Sequence, residues 1–143
     1  MNNFDHLITL DFETYYGEDY TLSKLTTEAY VRDPRFEMIG VGVKVDNTPT
    51  EWLSEKQLRC FTTDLDWSRI AVAAHHTHFD GLIAAHHFGI KPGFWLDTLS
   101  MARQQIGNHL SVSLDNVRQH YGLPVKRTPY NLFKGKHWHE IPP

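Results

Sequence analysis

Two acidic residues near the start of the chain, Asp11 and Glu13, have the types and the spacing that could hold a metal ion. They follow an apolar run over residues 7–10 that predicts a strand, and on a strand positions i and i+2 project from the same face. Adjacent carboxylates repel each other unless a cation joins them, and such oxygen ligands suit Mg²⁺ or Mn²⁺. The pair predicts a divalent-metal site, although a solvated strand end before a turn has the same pattern.

A third acid, Asp80, stands where a second predicted strand runs into a helix. Residues 69–74 form a short apolar run that is typical of a strand covered on both faces. Asp80 then falls in the first helical turn, where the helix dipole favours an acid whatever its function. The position alone therefore does not separate a metal ligand from a residue that only stabilises the helix end.

The elements expected to position these acids begin with an antiparallel meander. Residues 7–12, 36–45 and 48–53 predict three strands, because apolar residues alternate with small or polar ones between turn signals. Gly40 and Gly42 leave one face of the second strand bare. Such a face lets another element or a ligand approach closely.

The second half of the chain predicts helices that alternate with parallel strands. Residues 54–57 have the form of a capping box, and apolar residues follow at helical spacing through Leu65. Thr77 is expected to cap the helix that carries Asp80. Further elements are predicted over residues 94–96, 98–106 and 113–121. The pattern as a whole favours a mixed α/β layer fold.

The composition fits one domain that binds phosphate through metal ions. The chain has 143 residues, a formal net charge of −3 and 41% hydrophobic residues. A negative charge argues against a basic protein for tight duplex binding, and no apolar run of about 18 residues predicts a membrane span. Cys60 is the only cysteine and the start lacks a signal-like leader, so a cytoplasmic protein is expected.

Four motifs occur in an order that resembles a known enzyme family. They are Asp11-Phe12-Glu13-Thr14, residues 74–80, residues 95–99 and residues 113–123. Together they resemble the proofreading 3′ to 5′ exonucleases of the ribonuclease H-like superfamily, above all the domains attached to phage and bacterial DNA polymerases. The resemblance implies a ribonuclease H-like mixed sheet flanked by helices. It also implies a nuclease domain over residues 1–122 and a loop or tail over residues 123–143.

The resemblance also implies a mechanism with two divalent ions, Mg²⁺ or Mn²⁺. By this interpretation Asp11 bridges both ions, Glu13 binds one and Asp80 holds the other. The residues expected to contact the substrate are Thr14, Tyr15, His76 and Phe79. The implied substrate is the 3′ end of single-stranded DNA, and the implied partner is a DNA polymerase domain or subunit in a bacterial or phage-infected cell.

Two departures from the family pattern bear on activity. His76 stands where the family has an asparagine. The family also places a fourth acid on a late helix, but the only acids after Asp97 are Asp115 and Glu140, and neither has the motif. The sequence stops just short of the expected segment. We therefore expect this chain to be a poor nuclease or an inactive one.

A zinc-dependent hydrolase is an alternative interpretation of the second motif. His76, His78 and Asp80 match the start of the signature of metallo-β-lactamase-type hydrolases. Gly81 occupies the place of the final histidine, and zinc prefers nitrogen and sulfur ligands. The oxygen-only pair Asp11 and Glu13 favours magnesium-type ions instead.

A non-catalytic module that binds single strands or a polymerase is a third interpretation. The residues that support it interleave cations with aromatics in the tail: Lys126, Arg127, Tyr130, Phe133, Lys134, Lys136 and Trp138. A solvated loop with a few anchors has a similar composition. His137 and His139 have no acid or cysteine at zinc-site spacing, so they are expected to be ordinary tail residues.

Overall fold

The computed structural model describes residues 3–107, 111–124 and 134–141. Its strands are β1 (His6–Thr14), β2 (Met38–Val45), β3 (Glu51–Leu53), β4 (Ile70–Ala74) and β5 (Phe94–Asp97). Its α-helices are α1 (Thr27–Arg32), α2 (Glu55–Thr62), α3 (Thr77–Phe88), α4 (Thr98–Ile106) and α5 (Leu114–His120). Short 3₁₀ turns span Trp67–Arg69 and Trp138–Glu140.

The five strands form one mixed sheet with β1 at its centre. The strand order is β3-β2-β1-β4-β5. β1 pairs antiparallel with β2 and parallel with β4, while β3 continues the antiparallel side and β5 the parallel side. This arrangement confirms the predicted α/β fold, with an antiparallel meander followed by parallel strands.

One face of the sheet carries the hydrophobic core. Alternation along β1 buries Ile8, Leu10 and Phe12, while the residues between them face the other side. The Phe12 ring stacks on Phe88 of α3, with ring centroids 5.8 Å apart. Burying one such side chain contributes about 1.5–3 kcal/mol, so this packing anchors α3 against the central strand.

The bare glycine face of β2 is covered in part by a tryptophan. A Cβ atom placed on Gly40 would lie 2.1 Å from the Trp52 ring, so the indole occupies the space that a side chain at this position would need. Trp52 belongs to the neighbouring strand β3 and remains 55% exposed. The close approach expected at the glycines is therefore made by an adjacent strand.

Two helices differ from the sequence-based expectation. The capping box at Ser54 and Gln57 forms as predicted, but α2 ends at Thr62 and Leu65 packs on the core from the following loop. Helix α1 has no counterpart in the prediction. It has only six residues, and it is held by the Thr26 cap and by burial of Tyr30, because so short a segment is unstable without tertiary packing.

The structure bears on the expectations about a membrane span and about the tail over residues 3–107, 111–124 and 134–141. In them, no helix is both long and apolar enough to cross a bilayer. Most of the aromatic and basic tail motif, from Lys126 to Phe133, lies outside the described residues, whereas the segment 134–141 is described and docks on the sheet.

Candidate active site

The three predicted acids line one pocket at the end of the central strand. This pocket has a volume of about 270 Å³, and Asp11, Glu13 and Asp80 all contribute to its wall. β1 presents Asp11 and Glu13 on the face opposite the core, and the first turn of α3 brings Asp80 to them. The arrangement therefore joins residues that are nearly seventy positions apart in the sequence.

The Asp80 carboxylate is held by the main chain of β1. It is only 5% exposed, and its Oδ1 accepts a hydrogen bond from the Phe12 amide at 3.0 Å. The pairing of β1 with β4 ends at Thr9, so the carboxylate meets the Phe12 amide beyond the last strand pair on that side. A hydrogen bond to a charged group is stronger than a neutral one, and it fixes the Asp80 side chain beside Asp11 and Glu13.

Burial and like charge together make Asp80 hard to ionise. Burial, followed by the negative charges of Asp11 and Glu13, raises the pKa of Asp80 to about 7, although the Phe12 amide acts in the opposite direction. A carboxyl group in such a state is close to half protonated at neutral pH. A cation in the pocket would favour the ionised form and relieve the repulsion.

The acids suit hard cations by their chemistry but do not form a closed ligand cage. Among the described residues, no group of three or more His, Cys, Asp or Glu side chains is arranged so that it could hold one ion. Mg²⁺ is commonly bound through one or two carboxylates and keeps water or phosphate oxygens at its other positions. The three carboxylates of this pocket fit that manner of binding.

Three of the four predicted substrate contacts line the same pocket. Thr14, His76 and Phe79 do so, together with Tyr16, which sequence reasoning missed. The ring of Tyr15 stacks instead on His137, with centroids 4.3 Å apart and an interplanar angle of 7°. β1 ends at Thr14, so strand alternation no longer indicates which of the two tyrosines faces the acids.

The start of α3 is built differently from the prediction. The cap position is His76 rather than Thr77, and its backbone is left-handed, with φ 96° and ψ 65°. The cap is supplied from another element, because Asp97 Oδ1 accepts hydrogen bonds from the amides of His76 and Thr77 at 3.0 and 3.2 Å. The left-handed region is costly for a residue with a Cβ atom, and Asn is the side chain other than glycine that tolerates it best.

Asp97 is therefore a structural acid beside the pocket. Burial alone would raise the pKa of Asp97, but the hydrogen bonds from the Ser100 hydroxyl and from nearby amides outweigh burial and lower it. The carboxylate joins the end of β5 to the start of α3. Its role explains why an acid stands at this position without invoking a metal.

The histidines around α3 do not assemble as a zinc site in the described residues. Both ring nitrogens of His75 are engaged, one with Thr98 Oγ1 and one with the Val112 carbonyl, each at 3.0 Å. His76 lines the pocket, whereas His78 is exposed and its ring centroid is 6.0 Å from that of His76. The geometry favours an oxygen-donor site over the zinc alternative.

The two acids that follow Asp97 in the sequence do not line the acid pocket. Asp115 forms an ion pair with Arg118 at 2.9 Å within α5, and Glu140 Oε2 accepts a hydrogen bond from the His137 amide at 2.8 Å. Within the described ranges, the acids that line the pocket are Asp11, Glu13 and Asp80. The described residues thus place three carboxylates at this pocket.

The chain was compared with known families, curated proteins and solved structures. No family model matches it, and neither does any curated protein. Brucella melitensis NrnC is similar in structure, with a TM-score of 0.59, 15% identity, and coverage of 96% of this chain and 60% of NrnC. Brucella melitensis NrnC with bound Mg²⁺ aligns with a TM-score of 0.52, 16% identity, and coverage of 90% of this chain and 59% of the other.

A third solved structure, the apo form of a nuclease, leads to the same fold. It aligns with a TM-score of 0.56, 14% identity, and coverage of 92% of this chain and 59% of the other. The chain thus spans about three fifths of the length of each of these three structures. At this identity the likeness concerns architecture, and it establishes that the chain has the fold of these nucleases.

Proposed function

We propose that this chain is a metal-dependent 3′ to 5′ exonuclease module that acts on single-stranded DNA. The observation that carries the proposal is the acid pocket, in which Asp11, Glu13 and Asp80 converge, and in which burial, together with the charges of the first two, raises the pKa of Asp80. Perturbed titration in a cleft is typical of functional sites. The nuclease fold and the Mg²⁺ bound to one NrnC structure support the same conclusion.

The residues of the pocket would divide the work between metal binding and substrate positioning. Asp11, Glu13 and Asp80 would hold Mg²⁺ or Mn²⁺, with the Phe12 amide keeping Asp80 oriented. Such ions, when bound, supply Lewis acidity that polarises the phosphodiester and neutralises the charge developing on its oxygens. The Phe79 ring can stack on a terminal base of any identity.

The choice of substrate and partner comes from the motif resemblance. DNA rather than RNA, and attachment to a DNA polymerase as a proofreading domain, follow only from the motif resemblance. Paired DNA and RNA oligonucleotides of one sequence would separate the two substrates. We expect slow turnover on both, because three acids rather than four line the pocket in the described part of the chain.

The test is cleavage of a single-stranded oligonucleotide labelled at its 5′ end, with Mn²⁺ or Mg²⁺ present. We expect products shortened stepwise from the 3′ end, and loss of these products in Asp11→Asn and in EDTA. Asp115→Asn is the matched control, because that acid pairs with Arg118 on α5, away from the pocket. Cleavage that survives Asp11→Asn, or products shortened from the labelled end, would overturn the proposal.

A further inference from the structure

A second and larger cavity lies beside the acid pocket. Its volume is about 580 Å³, and its walls include Met38, Ile39, Lys56, Arg59 and Trp138. We call this cavity the Trp138 groove. We propose that the Trp138 groove binds one base of single-stranded nucleic acid, upstream of the nucleotide that enters the acid pocket. This inference rests on the proposed function only for its choice of substrate.

The groove and the acid pocket are lined by paired residues of neighbouring strands. Met38 at the start of β2 pairs with Thr14 at the end of β1, and Thr14 lines the acid pocket. Residues 134–141 also contact both regions. The Gly135 amide donates to the carbonyl of Tyr16, which lines the acid pocket, at 2.9 Å, and Trp138 lines the groove. A strand leaving the acid pocket would therefore meet the Trp138 groove next.

The backbone at Trp138 is anchored, and its indole is open to a ligand. Its amide donates to Glu37 Oε1 at 2.8 Å, and the preceding His137 donates from Nδ1 to Glu37 Oε2 at 2.6 Å. The His137 ring also stacks on Tyr15. Trp138 nevertheless remains 63% exposed. An exposed aromatic ring on an anchored backbone can stack on a base without first ordering the segment that carries it, which favours binding.

The charge around the groove favours a polyanion over a neutral peptide. Glu55 in its wall is paired with Arg59 at 2.8 Å, and Glu37 beside Trp138 is paired with His137 at 2.6 Å. Glu140 accepts a hydrogen bond from the His137 amide and is the one further acid next to Trp138 in residues 134–141. Lys56 at the groove and Lys134 and Lys136 just before Trp138 are exposed. In residues 3–107, 111–124 and 134–141, none of these three lysines takes part in an ion pair. Unpaired cations beside an exposed ring are the pattern of single-strand binders.

The dimensions and lining also fit a nucleotide. Ligand cavities commonly hold about 300–1,000 Å³ and combine apolar walls with a few polar groups. The apolar wall is formed by Met38, Ile39 and Trp138, and the Lys56 ammonium would meet the backbone phosphate. The acid pocket and the groove together would then hold a strand longer than a dinucleotide.

The test uses substrate length to separate the groove from the acid pocket. Binding of a fluorescein-labelled dinucleotide and of a labelled thymidine octamer is measured by anisotropy in EDTA, so that cleavage cannot occur. We expect Trp138→Ala to weaken octamer binding about 10-fold, with dinucleotide binding unchanged. Trp138→Tyr should retain most of the octamer affinity, and Lys56→Gln should reduce the dependence of that affinity on salt.

The control is Trp52→Ala, since Trp52 is 55% exposed but lies over Gly40 on β2. It should leave octamer binding unchanged. Unchanged octamer binding in Trp138→Ala would overturn the groove proposal. An equal loss of affinity for the octamer and the dinucleotide would also overturn it. If Trp138→Ala weakens the octamer while neither length is cleaved with Mn²⁺, the groove stands and the nuclease proposal fails. If the oligonucleotides are cleaved but Trp138→Ala binds the octamer as the unchanged protein does, the nuclease proposal stands and the groove proposal fails.

Discussion

The acid pocket and the Trp138 groove share one end of the sheet but are held by different forces. In the pocket, Asp80 is buried on a helix that packs on the core, and its charge conflicts with the charges of its neighbours. The groove depends on a surface segment whose main anchor is the His137–Glu37 pair. The packed core therefore holds Asp80 close to like charges in the pocket, whereas the groove depends on a few polar contacts near the surface. The two should respond in opposite ways to mutation and to pH.

The largest effect is expected at Asp80. Replacing it by Asn keeps an acceptor for the Phe12 amide but removes the buried charge, so turnover should fall at least roughly 100-fold. The metal-free protein should gain about 1–3 kcal/mol of unfolding free energy at pH 8. Activity is measured on a single-stranded oligonucleotide, and stability by denaturant unfolding in EDTA.

The sign of the stability change follows from the raised pKa. Because the folded pKa of Asp80 is about 7 and the ordinary value is 3.8, its contribution to stability is present below pH 3.8 and is lost as the pH rises through about 7. Asp80→Asn should therefore be neutral near pH 4 and stabilising at pH 8. Asp115→Asn is the control and should show no such trend. A destabilised Asp80→Asn at pH 8 would show that burial and the neighbouring charges do not make ionised Asp80 costly.

A smaller effect is expected where α3 begins. His76 has a left-handed backbone that asparagine tolerates better, so His76→Asn should raise the unfolding free energy by about 0.5–1 kcal/mol. Urea denaturation measures the change. His78→Asn, on the first turn of the same helix but with ordinary backbone, is the matched control and should be neutral or slightly destabilising. Equal effects at the two positions would mean that the backbone at His76 is not strained.

The smallest effect concerns docking of residues 134–141. The hydrogen bond with Glu37 raises the pKa of His137, so this contribution is complete below about pH 6.5 and is lost as the pH rises through the raised value. Burial acts to raise the pKa of Glu37, but hydrogen bonds from the Trp138 amide and from His137 outweigh burial, so the pKa of Glu37 is lowered. The Glu37 contribution is thus present above about pH 4.5 and is lost as the pH falls through the lowered value.

Docking of this segment should therefore be strongest between about pH 4.5 and 6.5. Trp138 fluorescence, read as the difference from Trp138→Phe, follows the change in its surroundings. Glu37→Gln should make Trp138 fluorescence nearly independent of pH in this range. A profile that declines steadily from low pH, as expected for the acid pocket, would mean that His137 and Glu37 do not control the groove.

The sequence predicted the parts of the site that depend on local periodicity. Strand alternation placed Asp11 and Glu13 on one face, and the change from strand to helix placed Asp80 in a first turn. It did not identify α1, because six residues are too few for a periodic pattern. It named Tyr15 as a substrate contact and did not consider Tyr16, which lines the pocket, because alternation stops where β1 ends. It treated His137 as an ordinary tail residue, because Glu37 is one hundred positions away.

Residue type and spacing alone determined the order of the elements apart from α1, the polarity of the sheet faces, the pairing of Asp11 with Glu13 and the place of Asp80 in a first helical turn. These are local properties, since they depend on neighbours within a few positions. Only the tertiary structure decided that Asp97 caps α3, that Asp80 is buried against the Phe12 amide and that Trp138 lines a cavity beside the acids. Each of these contacts joins distant segments, and burial and hydrogen bonding between such segments exist only once the chain has folded.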